Sequence, residues 1–386
     1  MKKNSEMGFP AIVEKGMSLQ IGFIPDGDCA PLAVARESGL FDKYELNVEL
    51  RRETRLSNIR DRLIEGDLHA VHAPATLPFI TNLGIDSDRC AAVTAMVLSL
   101  QGNAITISKQ LWNEGVRDGR TLRDLIFRNW GKRTFTFGVV FPNSPAYLLL
   151  RRWLRDGLVS PREVRIVVVH PAQMFPTLKL GYIDGFCAGE PWTSLAVEAD
   201  AGVCVATSRE LAPLHPEKVL MVRNGFAETR ASEHERLIAA LLEACAFCDQ
   251  PINRPLISEM LAQPQYVNAP TDCLKNILGA DAARPAPEAA PLHIFYKYNA
   301  NEPSDDKAAW VLGHLYEMIE QRTLPLPPNG RMPVLKNVFR RDIFQRARSV
   351  VFDHTQALMA EARKYHAAPA EGVGDPGAGI AKSVAE

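Results

Sequence analysis

Two short stretches of this chain have the residue types to present hydrogen-bond donors to a guest. Gly102 and Asn103 stand directly before the apolar run A-I-T-I-S (104–108). A glycine lets backbone N–H groups come close, and an amide side chain adds donors of its own. His170, Pro171, Ala172 and Gln173 lead from an apolar run into helical spacing, and the start of a helix offers unpaired N–H groups to an anion. Each stretch also has a plainer reading: a simple turn at Gly102 and Asn103, a helix cap at Gln173. Lys218 follows a proline turn in H-P-E-K. By type alone it is an ordinary solvated lysine. Sheltered from water, a unit charge about 4 Å from an anion is worth ~4 kcal/mol at an effective dielectric of ~20, before desolvation is subtracted. Donors, one cation and shelter are what a flat, singly charged, acceptor-rich anion requires. Glu190, two residues before Trp192 in G-E-P-W, would repel such an anion. Both residues therefore shape the turn, with Glu190 structural or linked to a cation.

Other chemistries lack their spacing. His69, His72, His170 and His215 are available, yet no H-E-x-x-H, G-x-S-x-G or P-loop pattern appears. A histidine near a strand end is more often satisfied by backbone groups, so no catalytic residue is expected. Seven scattered cysteines suit a reducing compartment better than a disulfide frame. Cys245 and Cys248 form C-A-F-C within an amphipathic helical run, without a second ligand pair close by. Neither a metal nor a cofactor is expected. Lys and Arg number 44 against 45 Asp and Glu, a formal charge of −1, which argues against a direct grip on nucleic acid. No stretch approaches the ~18 apolar residues that membrane insertion needs. Glu6, Glu14 and Lys15 fall where the apolar part of an export signal would lie. The expectation is a cytoplasmic protein, or a periplasmic one if the true start lies upstream.

The elements that must position these residues alternate. Short strands are predicted at 19–24, 47–52, 69–73, 90–97 and 104–108, with helices at 30–41 and 56–68, the second opening at Ser57 or Asn58. A second cycle places strands at 134–140, 164–170, 184–188 and 203–207, and helices at 145–158, 173–181 and 191–201. This βα rhythm predicts an α/β fold of two units, each a mostly parallel sheet flanked by helices, with a cleft at the carboxyl ends of the strands. Residues 219–365 read as mainly helical with a Pro/Ala-rich connector at 281–291, and the tail from about Ala367 reads as disordered.

Longer phrases are more specific. They are GFIPDGDCAPLAVARESGLFDKYEL (22–46), NIRDRLIEGDLHAVHAP (58–74), LQGNAITIS (100–108), VRIVVVHPAQMFPTLKLGYIDGFCAGEPW (164–192) and HPEKVL (215–220), followed by CDQPINR (248–254) and QYVNAP (265–270). Over roughly residues 19–280 the chain resembles the nitrate- and bicarbonate-binding proteins of ABC importers. That group includes cytoplasmic nitrate sensors and a branch for thiamine-pyrimidine precursors. The resemblance implies a two-lobed periplasmic-binding-protein fold of type II, whose chain crosses twice between lobes. The expected division is an N-terminal segment 1–17, lobe 1 from 18–108 and 208–366, lobe 2 from 109–207, and a tail 367–386.

The resemblance also assigns roles. Lys218 lies where the family carries its anion-contacting lysine, and the Gly102–Asn103 loop where it carries a Gln or Asn contact; Pro171 and Gln173 belong to the same ligand set. Leu56 stands where the family usually has Trp, and Ala146 where it often has His, which implies a larger and less polar pocket. The implied ligand is a small anion, nitrate or nitrite first. The implied role is a cytoplasmic sensor whose closure is read by an antiterminator-type regulatory protein. The alternatives are an importer component serving an ABC permease, and a pyrimidine-precursor binding protein or enzyme.

Overall fold

The computed structural model describes residues 18–278, 292–321, 324–325 and 337–351. The segment 1–17, the connector 281–291 and the tail 367–386 lie outside them. Eleven strands are present among the described residues: β1 Leu19–Phe23, β2 Val48–Arg52, β3 Ala70–Pro74, β4 Ala92–Gln101, β5 Asn103–Ser108, β6 Phe135–Val139, β7 Val164–Val168, β8 Gly185–Gly189, β9 Gly202–Thr207, β10 Pro216–Arg223 and β11 His293–Ile294. They form a six-stranded sheet ordered β11-β4-β10-β3-β1-β2 and a five-stranded sheet ordered β7-β6-β8-β5-β9.

Parallel pairs β2/β1/β3 and β7/β6/β8 make one side of each sheet. The strands that carry the chain between sheets, β4, β5, β9 and β10, run antiparallel to their neighbours. Among the described residues two such crossings exist, β4 to β5 at Gly102 and β9 to β10 through the helix Ser208–Leu211 and the turn after it. The first comes earlier than the expected boundary at 108, because β5 pairs with β8 and β9 and so belongs to lobe 2. The crossings are pinned side by side: Gln101 N–H donates to the His215 carbonyl at 3.1 Å, and Gly102 N–H to Ser208 Oγ at 3.1 Å.

The sequence V-L-M-V of β10 falls in the stretch expected to be helical. A short, fully apolar run fits either state, and its length and neighbours decide. Here alternation settles the matter: Leu220 and Val222 enter one core, which also takes in Phe186 and Trp192 of lobe 2, and Val219 and Met221 enter the core on the other face. Lobe 2 has its own core around Ile105, Phe137, Leu149 and Trp153. The expected helix 30–41 is split into Ala30–Glu37 and Leu40–Lys43 by Gly39 at φ 67°. Cys245 and Cys248 are buried and unbridged on the helix Ala231–Cys248. Late in the chain, the helix Asp305–Glu320 reaches lobe 2, where Glu317 pairs with Arg155 at 2.6 Å.

Candidate functional site

Each parallel strand ends on the cleft side of its sheet, and the loops that follow face one another. Two hydrogen bonds already join them: Gly27 N–H donates to the Glu190 carbonyl at 2.9 Å, and Trp192 Nε1–H to Asp26 Oδ1 at 2.7 Å. Between the loops lies a cavity of about 410 Å³, lined from lobe 1 by Ile24, Thr54, Arg55, Leu56 and Ser57, and from lobe 2 chiefly by Val140, Phe141, His170 and Pro171.

The helix Leu56–Glu65 begins at this cavity. It starts at Leu56, the first residue of the expected span 56–68 and ahead of the expected opening at Ser57 or Asn58, because Leu56 is drawn into the lobe 1 core, leaving Arg55 in the N-cap position with an extended backbone and no side-chain cap. Its first-turn N–H groups therefore sit at the cavity edge, where a helix favours negative charge. Arg55 is exposed and has no ion-pair partner among the described residues. Across the cavity, His170 Nδ1 accepts from Ala172 N–H at 3.2 Å. Burial, then the charges of Arg52 and Arg55, hold its pKa below the ordinary value, so the ring is neutral at pH 7.

A second polar group lies at the carboxyl ends of β1 and β3. In register, Lys218 of β10 stands opposite Pro74 of β3. Its ammonium is buried, donating to Asp28 Oδ2 and, at 3.1 Å, to Glu217 Oε1. Burial alone would lower the Lys218 pKa, but Asp28, Glu217 and Asp26 reverse this and raise it. Burial likewise works to raise the Asp28 carboxyl, and Lys218, His72 and His293 overcome it to hold the pKa below its usual value. Asp26 goes the other way. Burial and the neighbouring Asp28 push it up to about 7, more than Lys218 can offset. His72, lowered to about 4 by burial, is neutral, with Nε2 at 3.1 Å from the Asp28 carbonyl. Asn103 Nδ2 donates to Glu217 Oε2, which also lies 3.3 Å from His215 Nε2. Asp28 Oδ1 has no hydrogen-bond donor among the described residues.

The residues singled out from the sequence thus divide. Lys218 and Asn103 meet through Glu217, with Gly102 at the adjacent crossing. Leu56 and Pro171 line the cavity together. Ala146 packs into the lobe 2 core. Gln173 is exposed and makes no side-chain cap; His170 caps that turn. Glu190 accepts from Ser194 N–H at 3.0 Å, and with Trp192 it fastens the lobes. Sequence reasoning did not single out Asp26, Asp28, Glu217 or Arg55. The one local signal was an acidic pair directly after an apolar strand, in I-P-D-G-D-C-A-P.

Among the described residues, no helix is long and apolar enough to cross a membrane, and no cluster of His, Cys, Asp and Glu could hold a metal. The sequence profile of the NMT1-like family matches residues 14–262, more than half of the chain. The chain is 36% identical over 347 residues to the bicarbonate transport ATP-binding protein CmpC of Synechocystis sp. strain PCC 6803, covering 87% of this chain and 51% of that protein. It is 27% identical over 305 residues to the nitrate/nitrite binding protein NrtA of Nostoc sp. strain PCC 7120, covering 76% of this chain and 69% of NrtA. The crystal structure of the periplasmic nitrate-binding protein NrtA from Synechocystis PCC 6803 matches with a TM-score of 0.78 at 23% identity, covering 86% of this chain and 89% of that one. At that identity the likeness concerns the fold. The chain spans about half the length of the ATP-binding relative it matches.

Proposed function

The chain belongs to the NMT1-like family, and from that membership we propose that it is a solute-binding protein for a small oxyanion, nitrate or nitrite first, acting as a cytoplasmic sensor. The observation that carries the ligand class is the cavity edge: an uncapped helix start beside the guanidinium of Arg55, which has no ion-pair partner among the described residues, enclosed by the second lobe. Backbone N–H groups and a planar fork of N–H donors suit the oxygens of a flat oxyanion. Lys218 is already matched by Asp28 and Glu217 and holds the strand ends rather than the guest. Closure of the lobes over the guest would change the outer surface, and a regulatory partner can read that surface.

One feature supports the cytoplasmic location that a sensor needs. A chain resembling half of a protein that binds ATP is at home where ATP is present. The likeness to a nitrate/nitrite binding protein keeps an importer component as the second role. Bicarbonate stands as a second ligand on the likeness to a bicarbonate transport protein.

Thermal unfolding against nitrate, nitrite, bicarbonate and a short sulfonate tests the ligand. An anion at ~100 times its dissociation constant adds about 2.7 kcal/mol, and closure should alter the fluorescence of Trp192, which lies between the lobes. A melting temperature unmoved by every oxyanion would sink the ligand class. Recovery of the native chain with periplasmic contents would sink the sensor and leave the importer role.

A further inference from the structure

The two crossings form one wall of a second cavity, of about 260 Å³. Gln101 contributes from the first crossing, and Arg209, Pro213 and Leu214 from the second. The opposite wall belongs wholly to lobe 1 and its C-terminal part: Asp249, Arg254, His293, Lys297 and Tyr298. We infer that this is an effector site for a small organic anion carrying two negative charges, and that its occupancy sets the angle between the lobes.

Charge points to the ligand. Arg209, Arg254 and Lys297 have no ion-pair partner among the described residues. Arg254 Nε is shielded from solvent with no acceptor among them, a state that costs free energy until an acceptor arrives. Among the lining residues the one carboxylate, Asp249, is already occupied. It accepts from the backbone N–H groups of Phe295, Tyr296 and Lys297 at 3.0, 2.8 and 2.8 Å. Three cations against one engaged carboxylate leave room for two negative charges. Guanidinium groups pair with the oxygens of a carboxylate or a phosphate alike. The remaining surface is carbon: Pro213, Ile294, Leu214 and Tyr298, the last two 43% and 71% exposed. A bare inorganic ion would leave that surface wet, so the guest has a short carbon skeleton. The volume falls below the ~300 Å³ at which drug-sized pockets begin.

The link to lobe motion is geometric. Gly102 has φ 103°, and a Cβ there would lie 2.2 Å from His293 Nε2, so the crossing backbone rests directly on the cavity wall. His293 is in turn stacked on Phe295, with ring centroids 5.7 Å apart. A dianion tying Arg209 of the moving crossing to Arg254 and Lys297 of lobe 1 holds one arrangement of that wall. It must therefore bind the open and closed forms unequally, and the cleft ligand and the effector change each other's affinity by the same factor.

Calorimetry of the full chain with succinate, glutarate and glycerol 3-phosphate, with acetate and inorganic phosphate as controls, tests the site. The expected result is saturable binding of at least one organic dianion, tighter than either control. The Arg209→Ala/Arg254→Ala variant should lose this binding by about tenfold or more, while its own nitrate affinity measured without effector stays within about twofold. In the parent, the favoured dianion should shift nitrate affinity by at least about threefold, and nitrate should shift the dianion by that same factor. Binding no tighter than inorganic phosphate, an unaffected double variant, or independent binding of the two ligands each overturns the proposal. Dianion binding is read without any cleft ligand, so a chain that ignores nitrate, which would sink the function proposed above, still reports on this site.

Discussion

Lys218 and Arg55 both stand at the carboxyl-end side of the lobe 1 sheet, yet their surroundings differ in kind. Lys218 is buried with Asp28 and Glu217 on its ammonium and Asp26 near by. Arg55 faces the cavity with no carboxylate among the described residues to meet it. A buried charge must have its counter-charge supplied by the protein, or the chain would not fold around it. A charge at an open cavity can be left unmatched, because water covers it until a guest does. The difference teaches that the lysine marked by family resemblance is foremost an organiser of the strand ends, and that the arginine beside it is free to recognise.

The largest expected effect removes the organiser. Lys218→Met leaves two carboxylates buried against each other, and losing one member of such a cluster costs about 3–5 kcal/mol. Urea unfolding measures it, and adding Asp28→Asn should restore part of the loss. A Lys218→Met chain as stable as the parent would erase the distinction between the two regions.

Next in size is the pH response of Asp26. Its pKa in the folded chain, about 7, lies above the ordinary 3.8. Between those values the folded chain keeps a proton that the unfolded chain releases. The stability from this group is complete below about pH 4 and is lost as pH rises to about 7. At ~1.4 kcal/mol per unit the upper bound is about 4 kcal/mol. Asp26→Asn imitates the protonated acid and keeps an oxygen for the Trp192 N–H. Its melting temperature should match the parent near pH 4, exceed it at pH 8, and lack the parent's decline between. Parallel curves for the two chains would mean that Asp26 is ionised throughout.

The fold was far more legible in the sequence than the site. Apolar periodicity placed the strands and helices between 134 and 207 within a few residues, because each pattern is local, but it did not single out the lobe 2 helix Gly119–Arg128. It misplaced β10, whose apolar run is explained only by two cores on opposite faces of the sheet. The charge cluster was harder still. Asp28 and Lys218 are 190 residues apart in the chain, and no spacing rule joins them; the chain reversal that brings β10 beside β3 does. Arg55 was hidden by a different cause. Ser57 and Asn58 looked like caps, and burial of Leu56 moved the helix start ahead of them. Gly102 was noticed for what a glycine permits, and its left-handed backbone against His293 supplies the reason.

The smallest effect on folding should accompany the clearest effect on binding. Arg55→Ala removes an exposed side chain with no ion-pair partner among the described residues, so its unfolding free energy should stay within about 0.5 kcal/mol of the parent. Its affinity for the favoured oxyanion should fall about tenfold, which is ~1.4 kcal/mol, well under the ~4 kcal/mol that one charge supplies before desolvation. Salt separates the two cations further. Parent affinity should weaken from low to physiological ionic strength because Arg55 acts through screened water, and the variant should lose most of that dependence. The buried cluster, shielded from salt, should barely respond. If Arg55→Ala binds the oxyanion as the parent does, with the same salt slope, the guest sits inside the Lys218 cluster, and the carboxylates there must then part or take up protons to admit it.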